Sequence, residues 1–343
     1  MSEQIKKLAP VIWSEIQKAN NILLCCHVRP DSDSVGSNLA MKLVLEKLGK
    51  KATLISGDDP PLNQLSFLPG FDSIKTSNFL NEVKNDEFDL FICLDISEPS
   101  RISQVEKFST PLPIRTLVID HHDTNTNFGD INLVEKKFSS TCELIYEIIE
   151  EVNPSILDSN IADCLYTGIW GDTVGFKSLN TTSETYKAAA NLIAHGANFQ
   201  KIISALTTMK LKFLRILGYA FSNAKQYFSG QVLITKISHE VFVGLNISES
   251  EIGEAKEYMT FYISQNEEAA VACVIYEYAP GKVSISLRSN NLSEFRDVAP
   301  IAQELGGGGH KQAAAGKMDA NVDEAEKKLL KAIQKIYPNL GQP

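Results

Sequence analysis

Seven side chains able to hold or orient a metal ion fall in three short clusters, each directly behind an apolar run. His27, Asp31 and Asp33 lie in His27-Val28-Arg29-Pro30-Asp31-Ser32-Asp33, behind Ile22-Leu23-Leu24-Cys25-Cys26. Asp95 closes the stretch Phe88-Asp89-Leu90-Phe91-Ile92-Cys93-Leu94. Asp120-His121-His122 follows Leu117-Val118-Ile119. Apolar runs of this length read as buried strands. In an open α/β sheet the carboxyl ends of parallel strands converge on one crevice, where ligands bind. The three clusters therefore belong to one pocket, and so much negative charge in one place requires cations to neutralise it.

Each cluster has a chemical reading and a plainer one. The loop from His27 to Asp33, stiffened by Pro30, can feed two metal ions from a single turn. The helix expected near Ser34 aims its amides at the same spot, which suits a phosphate, and Gly36 permits close backbone approach. Asp31 and Ser34 can equally be ordinary helix caps. Asp95 alone would pass for an N-cap. Beside the other clusters it reads as a carboxylate bridging two ions ~3.5–4 Å apart. A lone His is more often structural than a ligand, but two adjacent His after an Asp at a strand end reverse that expectation, with Asp120 orienting an imidazole. Asp172, in Gly168-Ile169-Trp170-Gly171-Asp172-Thr173, reads as a loop residue following a helix, where Gly and Asp are also common turn formers. Finally, Gly306-Gly307-Gly308-Gly309-His310 exposes amides for an anion, with His310 as a further donor; the plainer reading is a flexible linker.

The elements that must position these residues alternate in the first ~190 residues. Strands are expected at 22–26, 52–56, 89–94 and 116–119. A helix is expected over 34–48, with Val35, Leu39 and Leu43 on one face and Gly49 as its stop. Ser140 and Glu143 are spaced as a capping box opening a helix through Ile149. Further helices are expected at 161–169 and 184–194. This alternation predicts βαβ units and a mostly parallel sheet flanked by helices. The stretch 199–225 reads as helical and carries Lys201, Lys210, Lys212, Arg215 and Lys225. Beyond it, strands at 231–237, 269–276 and 282–288 and helices at 252–264 and 322–336 make a smaller α+β domain. Ser284, Ser286 and Arg288 alternate with Val283, Ile285 and Leu287, which predicts one polar face. The expected divisions are 1–195, a helical connector 196–228, and 229–343.

With 343 residues the chain is long enough for two domains with real cores. A net charge of −9 and a pI near 5.3 argue against charge-driven binding of long nucleic acid. Six cysteines without Cys-x-x-Cys spacing, all in apolar segments, read as buried reduced thiols. No basic leader precedes an apolar core, and no apolar run reaches ~18 residues. A cytoplasmic protein with no membrane partner is expected.

The five motifs, in this order from His27 to about Gly316, resemble the DHH family of phosphoesterases with the DHH-associated C-terminal domain. Within it, the chain resembles the stand-alone branch of nano-RNase/pAp phosphatases and cyclic-dinucleotide phosphodiesterases. That resemblance implies a hydrolase with two manganese ions, magnesium or another divalent metal being the alternative. It implies His27 and Asp31 on one ion, Asp33, His121 and Asp172 on the other, and Asp95 on both. An oxygen-and-imidazole set without Cys favours such ions over structural zinc. The resemblance further implies that His122 orients the scissile phosphate or a proton donor, and that Asp120 supports the histidines. Arg288, Ser289 and His310, with Gly307, Gly308 and Gly309, would grip the substrate's terminal phosphate and nucleotide across an interdomain cleft; Arg suits this through its planar fork. The chain departs from the family pattern at Ser32, Val174, Lys177 and Lys311, where a small residue, Gly, Arg and Pro are usual. These departures bear on substrate preference, and no expected metal ligand is missing.

The expected reaction is attack of an activated water on phosphorus, releasing mononucleotides from dinucleotides such as pApA and short RNA, and AMP from pAp. The rival readings are a c-di-AMP phosphodiesterase using the same ions and a catalytically silent nucleotide-binding module. A RecJ-type exonuclease would normally be larger, and a family II pyrophosphatase has a different C-terminal domain. Besides substrate, the candidate partner is a second copy in a homodimer.

Overall fold

The structure, a computed structural model, describes residues 2–108, 110–290 and 295–340. The chain divides after Thr208 into two compact units.

The first unit runs α1 (Glu3–Lys18), β1 (Asn21–Cys26), α2 (Ser32–Lys47), β2 (Lys51–Ser56), α3 (Phe79–Asn85), β3 (Leu90–Leu94), β4 (Thr116–Asp120), β5 (Ile131–Val134), α4 (Thr141–Val152), α5 (Ser159–Asp172), α6 (Ser183–Ala194) and α7 (Phe199–Thr207). Its five strands form a parallel sheet in the order β2-β1-β3-β4-β5. The strands read as unbroken apolar runs because both faces are covered. Leu24, Ile92, Leu94, Leu117 and Ile119 join α1, α2, α4 and α5 in one core. The alternate residues Leu23, Cys25, Phe91, Cys93 and Val118 pack on the other face with Phe79 of α3, Ile96 and Ile102. In this strand order the chain leaves β1 toward opposite sides of the sheet, so the switch point lies between β1 and β3. The His27 loop and Asp95 flank it.

Three elements of this unit lie outside the sequence expectation: α1, the short α3 and β5. In α1, Ile5, Ala9, Ile12 and Ile16 form a buried helical stripe, which Pro10 disguises. Strand β5 is four residues long and only half covered. Two boundaries also shift. Helix α2 starts at Ser32, so Asp33 belongs to its first turn, and α5 ends on Asp172 itself rather than before it.

The second unit runs α8 (Leu211–Ser222), β6 (Lys225–Tyr227), β7 (Val232–Ile237), α9 (His239–Gly244), α10 (Glu249–Ile263), β8 (Val271–Ala279), β9 (Lys282–Ser289), α11 (Ala299–Glu304), β10 (Gly308–Gly309), β11 (Ala313–Asp319) and α12 (Val322–Ile336). Its six strands are ordered β10-β11-β9-β8-β7-β6, with β7–β8 the parallel pair. Val232, Ile234, Cys273, Ile275, Ile285 and Leu287 meet α11 and α12 on one face, while Ala272 and Val274 meet α8 and α10 on the other. The polar stripe expected on β9 is therefore not a solvent face. Ser284 and Ser286 lie opposite Tyr276 and Val274 and are 3% and 4% exposed. Within 196–228, α7 places Ile202 in the first core, whereas α8 and β6 belong to the second unit.

The six cysteines are buried and free. Among the described residues no helix is long and apolar enough to cross a membrane.

Candidate metal centre

The loop after β1 turns sharply, with Arg29 in the left-handed region at φ 56°. His27 is anchored by its amide, which donates to Ser34 Oγ at 3.0 Å, and its Nδ1 lies 2.8 Å from the Val28 carbonyl. With Nδ1 turned to that carbonyl, Nε2 is the ring nitrogen left to face the carboxylates. Nε2 points between Asp31 Oδ2 at 3.5 Å and Asp95 Oδ2 at 3.4 Å. Asp31 combines both readings of its position. Its Oδ1 caps α2, accepting from the Asp33 and Ser34 amides at 3.1 and 3.0 Å, while Oδ2 faces His27. Asp33 is fully buried and held by the start of α4: Thr141 N donates to Oδ2 at 2.7 Å and Cys142 N to Oδ1 at 2.9 Å.

Asp95 sits at the end of β3 in the left-handed region, φ 61°, and is 3% exposed. Strained backbone of this kind persists where a site over-determines it. Its Oδ2 faces His27, and its Oδ1 lies 3.6 Å from both His121 Nε2 and His122 Nδ1. His121 Nδ1 lies 3.2 Å from the Phe138 carbonyl. Its Nε2 is buried without a hydrogen bond of good geometry, although Asp172 Oδ2 is 3.1 Å away and Asp33 Oδ2 3.9 Å. A ring nitrogen buried and aimed at three carboxylates is what a cation site presents.

Asp120 is fully buried and tied to its surroundings. Its Oδ1 accepts from the His121 amide at 2.9 Å and lies 2.8 Å from His122 Nδ1, while Oδ2 accepts from Asn125 at 2.6 Å. The result is a fixed His122 ring whose side chain remains 45% exposed. Asp172, the last residue of α5, keeps its carboxylate 25% exposed.

Three sets of side chains can each hold a metal ion: His27, Asp31 and Asp95; Asp33, His121 and Asp172; and Asp95, His121 and His122. All six expected ligands are thus brought together, with Asp95 common to two sets. Their electrostatics fit cations. Burial, then the Asp33 charge, pushes the Asp95 carboxyl up to about 8. Burial pulls both buried imidazoles down, but the surrounding carboxylates outweigh it and raise each to about 10: Asp31 and Asp95 at His27, Asp172, Asp33 and Asp95 at His121. Without metal the site must therefore hold extra protons in the places where divalent ions would sit.

The second unit gathers the expected substrate residues at one end of its sheet. Arg288 pairs in register with Ala313, Ser289 N donates to the Gln312 carbonyl at 2.9 Å, and His310 exchanges backbone bonds with Ala313. Arg288 is half-buried, its guanidinium donating to its own Leu287 carbonyl at 3.0 Å. The glycine run is not a linker. Gly308 and Gly309 form β10 against β11, and a side chain at Gly307 or Gly309 would overlap the backbone of Ala315 or Ala313. His310 is exposed at the tip of that hairpin.

Several residues of the centre escape sequence reasoning. Thr141 donates to Asp95 Oδ1 at 3.1 Å, Asn125 holds Asp120, and the Arg101 guanidinium comes within 3.2 Å of His27 Nδ1. The capping-box signal at 140–143 marks the right place with the wrong pairing. Ser140 Oγ accepts from Glu143 N, but the buried Glu143 carboxylate returns to Ser139, accepting from its amide at 2.9 Å, and to Thr185 at 3.0 Å.

Comparison with known proteins agrees with this geometry. Residues 21–169 match the DHH family, N-terminal domain, and residues 229–338 match the DHHA1 domain. The bifunctional oligoribonuclease and PAP phosphatase NrnA of Thermus thermophilus is 29% identical over 332 residues, which span 96% of this chain and 94% of that protein. The cyclic-di-AMP phosphodiesterase GdpP of Geobacillus thermodenitrificans is 28% identical over 352 residues, 96% of this chain but 49% of that protein. Among solved structures, an exopolyphosphatase-related protein from Bacteroides fragilis matches with a TM-score of 0.84 at 25% identity, covering 97% of each chain. Acid and imidazole clusters at the ends of successive parallel strands accompany a DHH family N-terminal domain over residues 21–169, followed by a DHHA1 domain over residues 229–338.

Proposed function

We propose that this protein is a manganese-dependent phosphoesterase that cleaves short oligonucleotides, dinucleotides such as pApA among them, to mononucleotides, and pAp to AMP. The observation that carries the proposal is one buried carboxylate, Asp95, that groups with His27 and Asp31 on one side and with His121 and the half-exposed His122 on the other, His121 in turn grouping with Asp33 and Asp172. Relatives over nearly the full chain are named for oligoribonuclease and PAP phosphatase activity, which supports the substrate class.

In this reading His27 and Asp31 hold one ion, Asp33, His121 and Asp172 hold the other, and Asp95 serves both. Divalent ions held there supply Lewis acidity, which activates water and neutralises charge developing on the phosphoryl oxygens. The chain's own residues do the rest. Asp120 fixes Nδ1 of His122, so Nε2 is the nitrogen offered to the scissile phosphate or the leaving oxygen. Arg288, Ser289 and His310, with the backbone of Gly307–Gly309, grip the terminal phosphate and its nucleotide, Arg288 by a bidentate fork. A grip on the chain end favours short substrates over long ones, in keeping with the net acidic charge. The buried free thiols are in keeping with a reducing, cytoplasmic setting.

The likeness to a cyclic-di-AMP phosphodiesterase supports a second reading, in which c-di-AMP is opened by the same centre. Initial rates on pApA, a short 5′-phosphorylated RNA, pAp, c-di-AMP and a long RNA, measured in parallel with manganese, separate the two. Fast loss of the short linear substrates is expected. Preference for c-di-AMP would replace this reading with the second. Equal turnover of dinucleotides and long RNA would overturn the proposed length selection.

A further inference from the structure

Asp95 must present one oxygen to each ligand set, yet little in its own chemistry fixes the plane of its carboxylate. Rotation about the bond to a carboxyl group is broad and nearly two-fold. Its neighbours His27, His121 and His122 lie 3.4–3.6 Å away, too far to lock it as hydrogen bonds. Among the described residues the one hydrogen bond to the carboxylate comes from Thr141, whose hydroxyl lies 3.1 Å from Oδ1.

Thr141 is the first residue of α4 and is fully buried. At that position no preceding helical turn offers a carbonyl to its hydroxyl, so the usual back-bond of a helical threonine is absent. Its branched Cβ also keeps few side-chain conformers. The same residue's amide donates to Asp33 Oδ2 at 2.7 Å, and the next amide, of Cys142, donates to Asp33 Oδ1 at 2.9 Å. One helix start therefore grips two carboxylates that arrive from β3 and α2, the shared one and one from a single set.

We infer that Thr141 is a positioning residue, whose hydroxyl sets the carboxylate plane of Asp95 so that both ligand sets form together. The inference rests on the two-ion reading proposed above. Loss of a hydrogen bond behind a ligand typically weakens metal binding 10–100-fold. Thr141→Val keeps the shape and removes the donor, Thr141→Ala removes the donor and leaves space, and Thr141→Ser keeps the donor.

The test is a manganese titration of the full, EDTA-stripped chain by calorimetry, together with electron paramagnetic resonance of the loaded protein. Wild type and Thr141→Ser are expected to take up two ions and to show the signal of an exchange-coupled manganese pair. Thr141→Val and Thr141→Ala are expected to bind one ion about 10–100-fold more weakly, to lose the coupled signal at limiting manganese, and to regain hydrolysis when manganese is raised. Should the valine variant misfold by crowding Asp95, the alanine variant carries the same test. Val and Ala variants that titrate and couple like wild type would overturn the inference alone. A wild type that takes up no ion pair would overturn the two-ion reading, and this inference with it.

Discussion

Asp31, Asp33 and Asp120 divide the work that carboxylates do around this centre. Asp31 spends one oxygen on a helix cap and leaves the other facing His27. Asp33 is held by two amides, and Asp120 by a backbone amide, an asparagine and the His122 ring. Asp120→Asn tests the last arrangement, because an amide nitrogen or a neutral oxygen beside His122 Nδ1 no longer supports an imidazolium. The expected result is a kcat about 10–100-fold lower with manganese uptake unchanged; unchanged kcat would remove Asp120 from the machinery. The candidate ligands His27, Asp31, Asp33, Asp95 and His121 were legible in the sequence because they follow buried strands, and strand ends converge. Thr141, Asn125 and Arg101 were not, because their partners lie far away in sequence or depend on how a loop folds back. Thr141 and Asp33, for instance, are 108 positions apart. Asp172 was named as a ligand only through the family resemblance, and its place on the last turn of α5 was missed because Gly171 and Thr173 look like turn residues.

At the scale of elements, α2, α4 and α5 meet so closely that glycine is required where they cross. A side chain at Gly168 would overlap Cys142 Sγ and sit 2.8 Å from Asp33 Oδ1. Gly168→Ala is expected to cost roughly 1–3 kcal/mol of stability, the usual range for overpacking, and to weaken manganese binding by displacing Asp33. Thermal unfolding and metal titration check both parts, and a variant with wild-type stability and affinity would show that the crossing has slack. The turn beyond α5 is also tight, since Val174, Gly175 and Phe176 all have positive φ, at 51°, 68° and 64°. Strands β1 to β4 of the first unit were legible because they are apolar runs with both faces covered, whereas the short, half-covered β5 was not. In the second unit β9 lies where its alternation placed it, although the serines of its polar face are covered by a second layer, and β10 was missed because a Gly-Gly strand carries no β signal of its own.

For the whole molecule, the acid-rich centre makes stability and metal binding respond to pH in opposite senses. In metal-free protein His27 and His121 are raised to about 10 by the carboxylates around them. A raised imidazole contributes stability that is fully present below its unfolded pKa of about 6.5 and is lost as pH rises through the folded value. Asp95, raised to about 8 chiefly by burial, acts in the same direction, because the folded state holds its proton longer than the unfolded chain does. EDTA-treated protein should therefore melt at progressively lower temperature from about pH 6.5 to 10. Manganese affinity should rise over the same range, since the ligands must shed those protons to bind. Melting curves with and without manganese read both trends; a metal-free protein equally stable across that range would contradict the charge arrangement described.

The most direct test of the account is the initial rate of pApA hydrolysis as manganese is added back to EDTA-stripped protein, with Asp95→Ala alongside. The account predicts no hydrolysis without metal, a steep rise that levels off once two ions are bound per chain, and a loss of at least about a thousandfold in Asp95→Ala, the scale on which a bridging ligand stabilises the transition state. Metal-independent hydrolysis, or an Asp95→Ala variant as active as wild type, would contradict it.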